Sequence, residues 1–143
     1  MFSIKKIQIF SIAFICILAV ACKKKATPVQ DNGIPYVPIN LVIYPGDPLN
    51  YKIQTQGGWQ YFSGGVAGII VYRKTTTEFV ALERASTYYP DNFEARAKVQ
   101  ADAFTLKDTI SGSKWQIFDG AVISGPATLP LRTRSRTVST SCA

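Results

Sequence analysis

Hydrophobic residues are distributed along this chain in two ways. From Ile7 to Ala21 they are almost continuous, and beyond Val37 they come in short runs separated by turn residues. The second pattern predicts strands. Val37 to Tyr44 alternates loosely and is rich in β-branched residues, and Pro45-Gly-Asp-Pro48 reads as a turn. Tyr51 to Gln54 and Trp59 to Phe62 flank Gly57-Gly58, where positive φ is cheap. Gly68 to Arg73 reads as a buried strand, with Phe79 to Glu83 as its antiparallel partner across the polar Lys74-Thr-Thr-Thr-Glu78. Phe104 to Leu106, Trp115 to Phe118 and Ala121 to Ser124 are further strands, the last two joined across Asp119-Gly120, a strong hairpin signal. Only Phe93 to Ala103 has any helical character, and its apolar residues are too few to define a face. The expected fold is all-β, a small antiparallel sandwich or partly open barrel.

The continuous run is an address rather than a core element. Lys5 and Lys6 precede it, which makes the n-region and h-region of a secretory signal over residues 1–21. It is short for a bilayer span, which needs about 20 apolar residues. It ends in Leu18-Ala-Val-Ala-Cys22, similar to the lipobox of bacterial lipoproteins, with small residues at Ala19 and Ala21 and the acceptor thiol at Cys22. The preferred leucine three places before the cysteine is absent. An ordinary cleaved signal followed by an incidental cysteine, or an uncleaved anchor, is the competing reading. A lipidated Cys22 implies export and anchoring to a cell-envelope membrane through several acyl chains. Lys23, Lys24 and Lys25 then either lie against anionic headgroups or act as a solvated spacer. Residues 22–36 form the expected tether, 37–136 the folded domain and 137–143 an atypical tail.

Composition narrows the chemistry. Histidine is absent from all 143 residues, which removes the commonest general base and the commonest zinc ligand. The cysteines, at 16, 22 and 142, lie outside the expected body, so a thiol nucleophile or a disulfide there is not expected. The net charge of +7 sits at the ends. Between Ala26 and Leu131, eight Lys and Arg (52, 73, 74, 84, 96, 98, 107 and 114) face nine acids, giving a nearly neutral body. No nucleic-acid partner is expected of such a body. The glycines at 57, 58, 64, 65 and 68 read as turns and bulges, since no Gly-Lys-Ser/Thr follows them. Glu78, Glu83, Asp91, Glu94 and Asp119 fall mostly in turns, where acids are solvated, so paired-carboxylate catalysis is not expected.

Two segments carry a family likeness. Arg84-Ala-Ser-Thr-Tyr-Tyr-Pro90 and Asp108-Thr-Ile-Ser-Gly-Ser-Lys-Trp115 resemble the two cluster-binding boxes of a Rieske iron–sulfur domain. The family's boxes run Cys-Thr-His and Cys-x-x-His-Gly-Ser, the second followed by an aromatic. Asp119-Gly120 and Gly125-Pro-Ala-Thr-Leu-Pro-Leu131 resemble the family's hairpin and Gly-Pro-Ala loop, and the strands at Gly65 to Arg73 and Phe79 to Arg84 resemble those leading into the first box. The likeness spans roughly Val37 to Arg136 and is similar to Rieske-like lipoproteins of the Bacteroidetes type.

That resemblance implies a 2Fe–2S cofactor held by two Cys and two His. Here the cysteine positions carry Ser86 and Asp108, and the histidine positions carry Tyr88 and Ser111. A seryl hydroxyl is a poor replacement for thiolate, and tyrosine titrates near 10. The expectation is therefore a cluster-free domain with no catalytic or metal residues. Hydroxyls and a carboxylate would hydrogen-bond where the cluster once joined two loops, and a hard-metal or small-ligand site at Asp108 with Tyr88 is the sharper alternative. The aromatic-rich body either packs its core or offers a stacking platform, and Tyr88, Tyr89 and Trp115 would stand at the former cluster tip as a docking surface for an envelope protein. The role implied is non-catalytic binding or structural support. The alternative is Rieske-type electron transfer with ligands supplied by a partner. The segment from Leu131 onward lacks the final apolar strand that such a domain would close with.

Overall fold

The computed structural model describes residues 33–134. The expected signal, the lipidation site Cys22 and the 137–143 tail lie outside those residues. Among the described residues seven strands form two antiparallel sheets, and neither sheet closes into a barrel. The first sheet has the order β1 (Trp59–Phe62), β2 (Ile69–Arg73), β3 (Phe79–Glu83). The second runs β4 (Ala97–Val99), β5 (Thr105–Asp108), β6 (Lys114–Gln116), β7 (Val122–Ser124). Among the described residues no helix is long and apolar enough to cross a membrane.

The apolar run of β2 is explained by its place at the centre of the first sheet, buried on both faces. Successive side chains point to opposite sides of a strand. Ile70 and Tyr72 enter a core with Leu82, Leu106, Trp115, Ile117 and Leu131, between the two sheets. Ile69 and Val71 face the other way, onto Ile53, with Ile39, Ile43 and Phe62 packed around them. The second core is closed by an arm. Residues 34–47 contain no strand, although the alternation from Val37 to Tyr44 predicted one. The arm instead lays Ile39 and Ile43 across the outer face of the sheet. The expected strand at Tyr51 to Gln54 is a 3-10 helix, Pro48–Ile53. Asp47 caps it, its Oδ1 accepting from Leu49 N at 2.8 Å, and Pro48 presets the first φ. Arg73 locks this helix to the β2–β3 hairpin by donating to the carbonyls of Ile53, Gln54, Thr75 and Thr76.

Two further boundaries differ from those read in the sequence. The weakly helical Phe93 to Ala103 contains β4, because Ala97 and Val99 find partners in Asp108 and Leu106. The body begins before Val37: Ile34 is buried, and Arg132 donates to the carbonyls of Ile34 and Pro35. The segment after Leu131 does pair. Thr133 bridges Leu82, Arg132 O accepts from Glu83 N at 2.9 Å, and Arg134 N donates to Ala81 O at 2.7 Å. A short, polar closing segment thus covers the free side of β3, anchored by buried Leu131 rather than by an apolar strand.

Candidate functional site

The two loops that carry the family likeness leave the ends of β3 and β5. Residues 84–90 follow β3 and are tied to the second sheet by the Ala85–Arg96 bridge and by Ala97 N donating to Arg84 O at 2.7 Å. Residues 109–113 join β5 to β6 and turn sharply at Gly112, φ +76°.

Asp108 is fully buried at the end of β5. Its Oδ1 accepts from Ile110 N at 2.9 Å and its Oδ2 from the Ser111 hydroxyl at 2.6 Å. Ser111 and Ser113 hydroxyls lie 2.9 Å apart, and Ser113 Oγ accepts from Ala127 N at 3.1 Å. Asp108 N donates to Ser113 O, and Gly112 N to Asp108 O, which closes the loop on itself. Every oxygen of this set thus has a partner within the chain, as buried polar groups require. In the other loop, Ser86 is fully buried and its Oγ accepts from Tyr88 N at 3.4 Å. Thr87 Oγ1 donates to Leu129 O at 2.7 Å, and Trp115 Nε1 donates to the same carbonyl at 3.1 Å. The segment Gly125 to Leu131 is therefore the junction: it takes Ser113 from one box and Thr87 from the other. No direct hydrogen bond joins the two boxes among the described residues.

The residues present do not fit a 2Fe–2S cluster. The positions read as those of the family's thiolates, Ser86 and Asp108, offer a hydroxyl and a carboxylate, and both Asp108 oxygens are engaged by Ile110 and Ser111. Among the described residues no three of His, Cys, Asp and Glu gather as a metal-binding group. The sharper alternative at Asp108 with Tyr88 gains nothing from the geometry, since Asp108 is buried within its own loop while Tyr88 stands in solvent.

The three residues expected at the docking tip differ in exposure. Tyr88 and Tyr89 are 42% and 43% exposed, and their rings meet edge to face at 4.5 Å between centroids. Trp115 does not belong with them. It is fully buried in the inter-sheet core, since it sits on the inward face of β6 opposite Leu106 and Val122.

A second locality escaped the sequence reading. The loop Ser63 to Gly68 between β1 and β2, together with Arg84, Phe93 and Arg96, lines an open depression of about 450 Å³. Gly64, Gly65 and Gly68 adopt φ of +127°, +64° and +95°, the turn role expected of them. The loop wraps the Glu83 carboxylate: Oε1 accepts from Val66 N at 2.9 Å and Ala67 N at 3.2 Å, while Oε2 meets Arg134 Nη2 at 3.2 Å. Glu83 is thus a buried structural acid rather than a solvated one. Its signal in the sequence is an acid closing the apolar run Phe79-Val-Ala-Leu. Beside it, Arg84 Nε donates to Ala97 O at 3.1 Å, and the Tyr61 ring covers the guanidinium at 4.0 Å. Burial lowers the Arg84 pKa from the usual arginine range, opposed by Tyr61 and joined by the charge of Arg96.

A scan against protein-family models, a search of curated proteins and a search of solved structures each find no match for the chain. What the fold and the loops define is a class of architecture: an all-β, two-sheet module with two hydrogen-bonded loops at one junction.

Proposed function

We propose that the chain is a non-catalytic binding or structural module of a bacterial cell envelope, held at the membrane by a lipidated Cys22 and built on a Rieske-like scaffold that has lost its cluster. The single observation that carries this reading is the Asp108–Ser111–Ser113–Ala127 hydrogen-bond chain, which fills the second box with oxygens bonded to one another and to the backbone. The ordered motifs from Gly65 to Leu131 support the scaffold, and Leu18 to Cys22 supports the anchor. The paired, exposed Tyr88 and Tyr89 supply the aromatic contact by which such a module meets an envelope protein.

The test is iron content with visible absorption and electron paramagnetic resonance spectra. They are recorded on the full chain purified anaerobically, and again on protein isolated from its native membrane. The proposal expects a colourless, iron-free protein that stays folded in chelator. A pair of irons per chain in the membrane sample alone indicates a cluster shared with a partner. Iron in the isolated chain overturns the assignment of the two boxes.

A further inference from the structure

The depression beside the Gly64-Gly65 loop shares only Arg84 with the two Rieske-like segments, and its geometry can be read independently of them. Arg84 is held by a hydrogen bond through Nε and by the Tyr61 ring, so the guanidinium plane is fixed while its Nη groups carry no hydrogen bond to the described residues. Arg96 lines the same depression, and its only described ion pair, with Glu94 at 3.3 Å, is on the surface, where such pairs contribute little. The acid that lies nearest in the chain, Glu83, is already spent on Val66, Ala67 and Arg134. Two cations therefore share one concavity with no buried carboxylate free to balance them. A planar guanidinium fork with an open edge matches a carboxylate or phosphate in two parallel hydrogen bonds. Phe93, 63% exposed at the rim, offers an apolar face for a ring attached to that anion. The volume falls within the range of small-molecule pockets.

We propose that this depression binds a small soluble oxyanion, a carboxylate or phosphate borne on a flat ring, with Arg84 as the bidentate anchor, Arg96 as the second cation and Phe93 as the stacking surface. The concave shape favours a small molecule over a flat lipid surface.

Calorimetric titration of the full chain in a neutral detergent at low ionic strength tests this, with inorganic phosphate, phenyl phosphate and benzoate as probes and sodium chloride as the ionic-strength control. Saturable binding is expected for at least one ring-bearing probe, tighter than for inorganic phosphate. The order of phenyl phosphate and benzoate identifies the anion. Arg84→Gln weakens binding by about tenfold or more, and Arg84→Lys restores it only in part because a lysine lacks the fork. Since Arg84 also anchors Ala97, Arg96→Gln and Phe93→Ala serve as variants that leave that anchor in place. Arg96→Gln weakens all three probes, and Phe93→Ala weakens only those with a ring. The proposal is overturned if no probe saturates by about 10 mM, or if binding survives both Arg84→Gln and Arg96→Gln unchanged.

Discussion

Glu83→Gln is the most informative single substitution for the body of the molecule. The Glu83 side chain is fully buried, and Arg134 across from it is only 15% exposed. The carboxylate accepts two loop N–H groups and one guanidinium. Glutamine keeps the shape, and its carbonyl oxygen can still take Val66 N and Ala67 N. Its amide then points two donor hydrogens at Arg134 Nη2, which is itself a donor. Hydrogen bonds to charged groups are worth about 1.5–3 kcal/mol, and removing one member of a buried pair costs about 3–5 kcal/mol. The partial exposure of Arg134 lets water relieve it, so the expected loss is about 2–3 kcal/mol. In a domain of this size that lowers the melting temperature by about 10–20 °C. The assay is urea unfolding followed by circular dichroism on a soluble chain beginning at Ala26, with an unchanged slope showing that the unfolded state is not altered. Combining Glu83→Gln with Arg134→Met completes a cycle, and coupling of about 1 kcal/mol or more is expected for groups in contact. A Glu83→Gln protein within about 0.5 kcal/mol of the parent would refute the reasoning. It would mean that the loop holds its shape without the charge.

Three other outcomes follow from the geometry. Trp115→Ala empties the inter-sheet core and costs about 3–5 kcal/mol, whereas Tyr88→Ala on the surface costs well under about 1 kcal/mol; equal losses in thermal unfolding would contradict the placement of Trp115. Ser113→Ala strands the N–H of Ala127 and loses the contact to Ser111, for about 1–3 kcal/mol; slower amide exchange at Ala127 in the variant would count against it. Asp102 accepts from the Thr105 hydroxyl at 2.6 Å, Thr105 N at 2.9 Å and Phe104 N at 3.0 Å, in that order of effect, so its pKa in the folded chain lies below the ordinary carboxylate value. A depressed folded pKa means that its stabilising contribution is present above the unfolded value and is lost as pH falls through the folded one. An NMR titration should show the Asp102 carboxyl still ionised just below pH 3.8, the ordinary value for this group, and Asp102→Asn should lack this transition.

Much of the fold was legible from local pattern, and the reason is visible in particular elements. Phe79 to Glu83 is an observed strand to the residue, and Gly68 to Arg73 differs only by its first glycine. The polar link, the β-branched run and the apolar density all point the same way there. The Asp119-Gly120 turn is equally local: Asp119 Oδ1 accepts from Ala121 N, and Gly120 takes φ +76°. Val37 to Tyr44 misled because alternation records which side chains are covered, not what the backbone pairs with. An arm lying on a sheet face leaves the same periodic signature as a strand within it. Tyr51 to Gln54 misled because the Asp47-Pro48 start signal outweighed the β propensity of the residues after it.

The sequence by itself determined the all-β character, the β2–β3 hairpin, the absence of histidine and the oxygen donors at the two boxes, because these depend on residue type and short-range order. Only the tertiary structure decided that Trp115 is core while Tyr88 and Tyr89 are exposed, since inward and outward aromatics look alike along the chain until the sheets stack. The same holds for Glu83, whose partners lie 17 and 51 positions away at Val66 and Arg134. It holds also for the Arg84–Arg96 depression, which exists because the Ala85–Arg96 bridge brings two loops to one edge. Charge and burial at such places are set by long-range contacts, and no window along the chain contains them.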